Sequence, residues 1–245
     1  MSPLIESQSM IEEYPRIRAR LPAAVYDLAL RLGANPRLSS TSVRLRQSGR
    51  MRQIGDARWM AFRAKPDIST LRCAFDWRAR AGPAGLITAR DALTEEGGRF
   101  DVRALGIFPI VRADHTPALQ RGQLMRYIAE LPWAPDAILH NTELRWLEDG
   151  PDTLAVSAGA GETASEVVLS LDSQGRIADA FVPDRPRSAQ APFLPTPWRG
   201  RFTDYRRHND MWIPFAGEVG WQIDGKEYLY WQGRIEHWDT LTDSP

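Results

Sequence analysis

Arg126 and Glu130 stand four residues apart in the most strongly helical stretch of the sequence, RGQLMRYIAELPWAPDAILHN (121–141). On a helix this spacing puts both on one face. They form either an exposed ion pair or a site in which Arg126 holds an anion and Glu130 orients it or accepts a proton. Arg before Glu is the weaker order for helix stabilisation. His140, near the end of the same stretch, is a further acid–base candidate or a local hydrogen-bonding residue of the helix terminus. Tyr205 offers a phenol to stabilise negative charge, which makes Glu130, His140 and Tyr205 the candidate catalytic groups. Glu218 and Glu236 flank the closing hairpin, as a carboxylate pair for acid–base work or as exposed sheet residues.

The nine tryptophans are many for 245 residues. Trp133 sits between two prolines in LPWAP, where the helix must end or kink, and is either a packing plug or a ligand platform. Most of the others belong to core or rim, with a minority left to line a cavity for an apolar or sugar-like ligand.

Other chemistry has no signature in the sequence. The four histidines form no metal-ligand spacing, the single Cys73 has no partner for a disulfide or CxxC pair, and no GxSxG, P-loop or GxGxxG motif is present. No metal or cofactor is expected. There is no apolar run of eighteen residues and no secretory start, so no membrane span and a cytoplasmic location are expected. The net charge of +0 hides an asymmetry, with 21 Arg/Lys against 13 Asp/Glu in residues 1–130 and the reverse balance after, so the two halves should attract. Arg44, Arg46, Arg78, Arg80 and Arg103 alternate with apolar residues and would make a phosphate-binding face, but neutrality and scarce lysine argue against nucleic acid as a partner.

The elements around these residues are mostly strands. Period-2 alternation recurs through 42–48, 58–64, 74–80, 86–91, 98–104 and 107–112, and resumes from 142 to the end, where Asp224-Gly225 marks a hairpin tip. Apolar residues at helical spacing before Leu32 read as two short helices, the second opening at Pro22 and ending at Gly33. Residues 183–198, rich in proline, read as a surface loop or lid. The prediction is an α+β fold of mostly antiparallel β: one curved sheet or half-barrel of about ten to twelve strands, with N-terminal helices and a mid-chain helix (119–140) covering the concave face. Residues 1–40 form a helical segment and 41–240 the β-rich part of one structural domain. Projected at about 100° per residue, Leu124, Ile128 and Leu131 share a face and Arg126 and Glu130 lie opposite.

RGQLMRYIAELPWAPDAIL (121–139) and PWRGRFTDYRRHNDMWIPFAGEVGW (197–221), with QSGRMR (47–52) and WMAFRA (59–64), resemble a bacterial family defined only as a domain of unknown function, numbered 6544. The likeness runs from about Ser42 to Gly233. It implies no catalytic residues; it marks Arg126, Tyr127, Glu130, Trp133, Trp198, Asp204, Tyr205, Glu218 and Trp221 as positions matching the recurring pattern. The expected shape is also similar to periplasmic lipoprotein carriers with a curved sheet and helical lid, an analogy of fold only, and the chain has neither their signal sequence nor their lipid-bearing cysteine.

Three functional readings follow. The first is binding of a small apolar or amphipathic ligand in a pocket between sheet and central helix, with Arg126, Tyr127, Trp133, Trp198, Glu218 and Trp221 as its contacts. The second is an enzyme using Glu130 or His140 with Arg126 and Tyr205 in that cleft. The third is a scaffold or oligomerisation module.

Overall fold

The computed structural model of the chain describes residues 16–37, 40–188 and 192–242. Its first six strands are β1 (Ser42–Met51), β2 (Met60–Ser69), β3 (Phe75–Ala81), β4 (Ile87–Thr94), β5 (Gly97–Ala104) and β6 (Phe108–Asp114). The other seven are β7 (Arg145–Gly150), β8 (Thr153–Ala158), β9 (Ser165–Leu171), β10 (Ile177–Pro186), β11 (Pro195–His208), β12 (Met211–Ile223) and β13 (Lys226–Leu241). Three α-helices lie wholly within the described residues, α1 (Ala23–Leu32), α2 (Pro117–Ala129) and α3 (Pro135–His140), and residues 16–20 are helical as well.

The thirteen strands form one antiparallel sheet, and its topology follows from one rule and one exception. Within each of the runs β1–β6 and β7–β13, every strand pairs with its neighbours in sequence, as hairpin turns dictate. The exception is the centre, where the first strand meets the last, Ser42 opposite Leu241 through Met51 opposite Trp231. The chain therefore runs out from β1 to the edge at β6, crosses to the opposite edge at β7, and returns to β13. Helix α2 makes the crossing, packing on β4 and β5 of one arm and β8, β9 and β10 of the other. The result is a curved open sheet wrapped around a helix.

Turn chemistry fixes the registers. Asp224 and Gly225 have φ of 50° and 71°, and Asn209 and Asp210 have 47° and 66°. Positive φ at both central residues matches the right-handed strand twist of a tight hairpin. Residues 183–186 and 195–198 are strand rather than the surface loop or lid that their prolines suggested. Arg185 pairs with Thr196 and Pro186 with Pro195, making a β10–β11 hairpin. The prolines are accommodated because Pro183 falls in a bulge and Pro186 and Pro195 at strand ends, where no ladder N–H is required.

Helix α1 follows Pro22 and stops at Gly33, whose φ of 92° is left-handed. Most of the helix expected before it lies outside the described residues. The predicted 119–140 helix is three pieces, α2, a 3-10 turn Leu131–Trp133 and α3, broken where Pro132 and Pro135 cannot donate. Helices α1 and α3 pack together and close one end of the half-barrel. Buried Asp136 ties them to the sheet by accepting from the Ser40 hydroxyl at 2.8 Å and the Asn35 amide at 3.2 Å. At the other end, Met51, Ile87, Val219, Ile223, Tyr230 and Trp231 remain only partly buried against the core.

The arginine-rich outer face is partly neutralised. Arg78 and Arg90 share Asp76, Arg44 meets Asp67, and Arg103 meets Asp101. The expected attraction between chain halves is local instead: among the described residues, Arg121–Asp184 at 2.8 Å is the one ion pair joining residues before and after 130.

Candidate functional site

Arg126 does not face bulk water. Its Nε donates to Glu130 at 2.7 Å and its terminal nitrogen to Asp91 on β4 at 2.7 Å. The guanidinium lies over Phe75 and Trp77, 4.9 and 5.1 Å from the ring centres. Asp91 also accepts from Gln123 at 2.6 Å. Burial opposes the guanidinium's charge, but Glu130 and Asp91 more than compensate, so its pKa is held above the ordinary arginine value. Both hydrogen-bonded carboxylates are thereby committed to bracing α2 against the arm of the sheet.

Beneath the helix, the concave face is paved with aromatic rings. Trp77 meets Phe62 at 6.1 Å, Phe62 stacks on Trp231 at 5.6 Å, and Trp231 contacts Trp133 at 6.4 Å, which meets Phe202 edge-on at 5.3 Å. Glycines make room for these rings. Gly217, Gly233 and Gly49 lie side by side across β12, β13 and β1. A Cβ on Gly233 would lie 2.2 Å from the Trp231 ring, and one on Gly217 would lie 3.3 Å from Trp133. In Trp198–Gly200 and Trp231–Gly233 the indole folds along its own strand over the glycine two residues on, since i and i+2 share a face. Trp133 is fixed as a core plug: its Nε1 donates to Pro214 O and its carbonyl accepts from Trp238, both at 2.8 Å.

The floor continues on β11 to β13. Trp198 Nε1 donates to the Tyr230 hydroxyl at 3.0 Å, and Trp221 stacks on Tyr230 with centroids 5.8 Å apart. Arg185 from β10 lies over Trp198 at 4.6 Å and Trp221 at 5.7 Å. Sequence reasoning missed Arg185 by placing it in a loop; the alternation that continues β10 through Pro183 was its only signal.

The other candidates are dispersed. His140 Nε2 lies 2.9 Å from Asn35 O beside α1. Tyr205 donates to Ile177 O at 2.6 Å under the Arg176 guanidinium, and burial first, then Asp172, raises its pKa. Glu130 bonds Arg126, so the three acid–base candidates have different partners, and no hydrogen bond joins any two of them among the described residues. Tyr127 is buried, donating to Ser69 O at 2.8 Å and accepting from Asn141 at 2.9 Å. Nearby Cys73 is pushed up to about 12, by burial first and Glu143 second, so it is no nucleophile at neutral pH. Glu218 lies on the outer face, bonded to Arg201 and Gln232, and its ladder partner is Gln232 rather than Glu236.

Two grooves open on the surface. One, of about 480 Å³, lies between the end of α1 and the β11–β12 turn; the other, of about 410 Å³, lies beside Arg121 and strands β8 to β10. No described His, Cys, Asp and Glu residues cluster as a metal site would require, and no described helix is long and apolar enough to cross a membrane.

A profile of the DUF6544 family, a family of unknown function, matches residues 10–233. The chain belongs to this family. No curated protein matches it. Among solved structures, this DUF6544 protein is similar to a putative outer membrane lipoprotein-sorting protein domain from Vibrio parahaemolyticus, with TM-score 0.51 and 10% identity over 91% of this chain and 92% of that one. A DUF1329 family protein from Desulfovibrio piger gives TM-score 0.50 and 13% identity over 91% and 94%. A LolA superfamily protein from Nitrosomonas europaea gives 0.48 and 12% over 91% and 94%. For the Vibrio and Desulfovibrio structures, at these identities, the likeness is one of fold, the curved antiparallel half-barrel. The DUF6544 pattern residues largely build that fold here: Arg126 and Glu130 brace α2, Trp133 plugs the core, and Trp198 and Trp221 pave the concave face.

Proposed function

We propose that this DUF6544 protein binds a small apolar or amphipathic molecule against the aromatic concave face, entering at the end of the half-barrel opposite α1 and α3. The observation that carries the reading is that Tyr230 and Trp231 belong to the aromatic floor yet remain partly buried, in company with Met51, Val219 and Ile223. Apolar surface left at a concave rim favours a ligand that removes it from water. Catalysis is not part of the reading, because Glu130, His140 and Tyr205 each have a separate structural partner.

The test is titration with N-phenyl-1-naphthylamine, a neutral apolar fluorophore. Saturable binding at one site is expected, weakened about tenfold or more by Met51→Glu or Ile223→Glu, since each puts a charge against the bound ring. Circular dichroism verifies that the variants fold. Absence of saturable binding to the wild-type protein, or unchanged binding to both folded variants, refutes the reading.

A further inference from the structure

Two arginines sit on the aromatic floor, and they differ in one respect. Arg126, over Phe75 and Trp77, is paired with Asp91 and Glu130. Arg185, over Trp198 and Trp221, has no carboxylate within ion-pair distance among the described residues, and its Nε is buried without a hydrogen-bond partner. Its sequence neighbour Asp184 is engaged by Arg121 at 2.8 Å. Two other arginines have a buried Nε lacking a hydrogen bond, but Arg99 lies 3.7 Å from Asp114 and Arg199 lies 3.4 Å from Asp179. Arg185 alone of the three lacks an acid.

A buried N–H without a partner is costly, and a guanidinium presents a planar fork of donors suited to a carboxylate or phosphate. Indole rings beneath it offset part of the missing counter-charge through the π face, without supplying a hydrogen-bond acceptor. The Trp198 Nε1 is already engaged by the Tyr230 hydroxyl, so the indole is not a free donor to a ligand.

We infer that Arg185 is an anion-recognition residue, and that the ligand of the concave face is an anionic amphiphile whose carboxylate or phosphate head meets the Arg185 guanidinium while its tail lies along the aromatic floor. This rests on the binding reading above and specifies the ligand class. A charge-assisted hydrogen bond at a partly desolvated site changes affinity by about tenfold or more.

The experiment compares sodium decanoate, 1-decanol and sodium acetate by calorimetry and by tryptophan quenching, in the wild type, Arg185→Gln and Arg185→Lys. The wild type is expected to bind decanoate at least about tenfold more tightly than decanol and to bind acetate not measurably. Arg185→Gln should remove that preference, and Arg185→Lys, which keeps the charge, should restore part of it. Equal wild-type binding of decanoate and decanol overturns the anion site and leaves the apolar floor standing, as does a preference that survives Arg185→Gln. Decanoate binding that depends on Arg185 without any decanol binding keeps the anion site and refutes the floor. Acetate binding as tightly as decanoate overturns the amphiphile, and no binding of any of the three overturns both readings. Circular dichroism verifies that both variants fold.

Discussion

At the scale of residues, the Arg126 cluster shows how a side chain of catalytic type becomes structural. Its three charges are each mostly shielded by the sheet, so removing the cation leaves Asp91 and Glu130 facing one another with no counter-charge. Arg126→Met is expected to lower stability by about 3 kcal/mol, read from urea unfolding. The Arg126–Glu130 half of this cluster was legible in the sequence as an i, i+4 spacing. The Asp91 half was not, because it comes from a strand 35 residues earlier and depends on where α2 crosses the sheet. Two aspartates make a paired test of electrostatics with opposite signs. For Asp76, burial raises the pKa but Arg90 and Arg78 outweigh it, so the folded-state value is depressed. Its stabilisation is present above the unfolded pKa and lost as pH falls through the folded one. For Asp179, burial dominates over Arg199 and Arg201, and the folded value is raised, so the ionised carboxylate opposes folding. At pH 7, Asp76→Asn should therefore lower the urea midpoint and Asp179→Asn should raise it. As pH falls, the Asp179→Asn gain disappears first, through that raised value, and the Asp76→Asn loss disappears only below the ordinary carboxylate range.

At the scale of elements, most strands were readable because one face of each is buried and the other wet, and alternation records that difference. Trp212–Phe215 and the incoming strand of the final hairpin belong to the single long strand β12. The β10–β11 hairpin was hidden because proline is counted against strands, although here it falls at a bulge and at strand ends. Glycine carries a signal that alternation does not. In WRG (198–200) and WQG (231–233) the spacing of two puts indole and hydrogen on one face, so the ring lies flat on the strand. Gly49 is tighter still: a Cβ there would sit 2.0 Å from the Gln232 carbonyl oxygen, a backbone atom that cannot swing away. Gly49→Ala should cost about 1–3 kcal/mol, the range for overpacking. Gly217→Ala, whose nearest contact would be 3.3 Å from the Trp133 ring, should cost less. Thermal melts of the two variants measure the difference, and equal losses would mean that the sheet centre yields more than this packing implies.

At the scale of the molecule, the half-barrel is closed at one end by α1 and α3 and left with an apolar rim at the other, while α2 holds the two arms together. Fold class was legible because turns and alternation suffice for an antiparallel meander. The pairing of β1 with β13 was not, since it joins residues about 200 positions apart and no local pattern encodes it. A competing apolar surface exists on the edge hairpin between β5 and β6, where Leu105, Ile107, Phe108 and Ile110 are all more than half exposed. The direct measurement is therefore one of location: photolabelling with a diazirine-bearing fatty acid, followed by peptide mapping. The account predicts adducts on the rim and floor, at Met51, within Val219–Ile223 and within Tyr228–Trp231. Adducts confined to Leu105–Ile110 or to the outer face would contradict it.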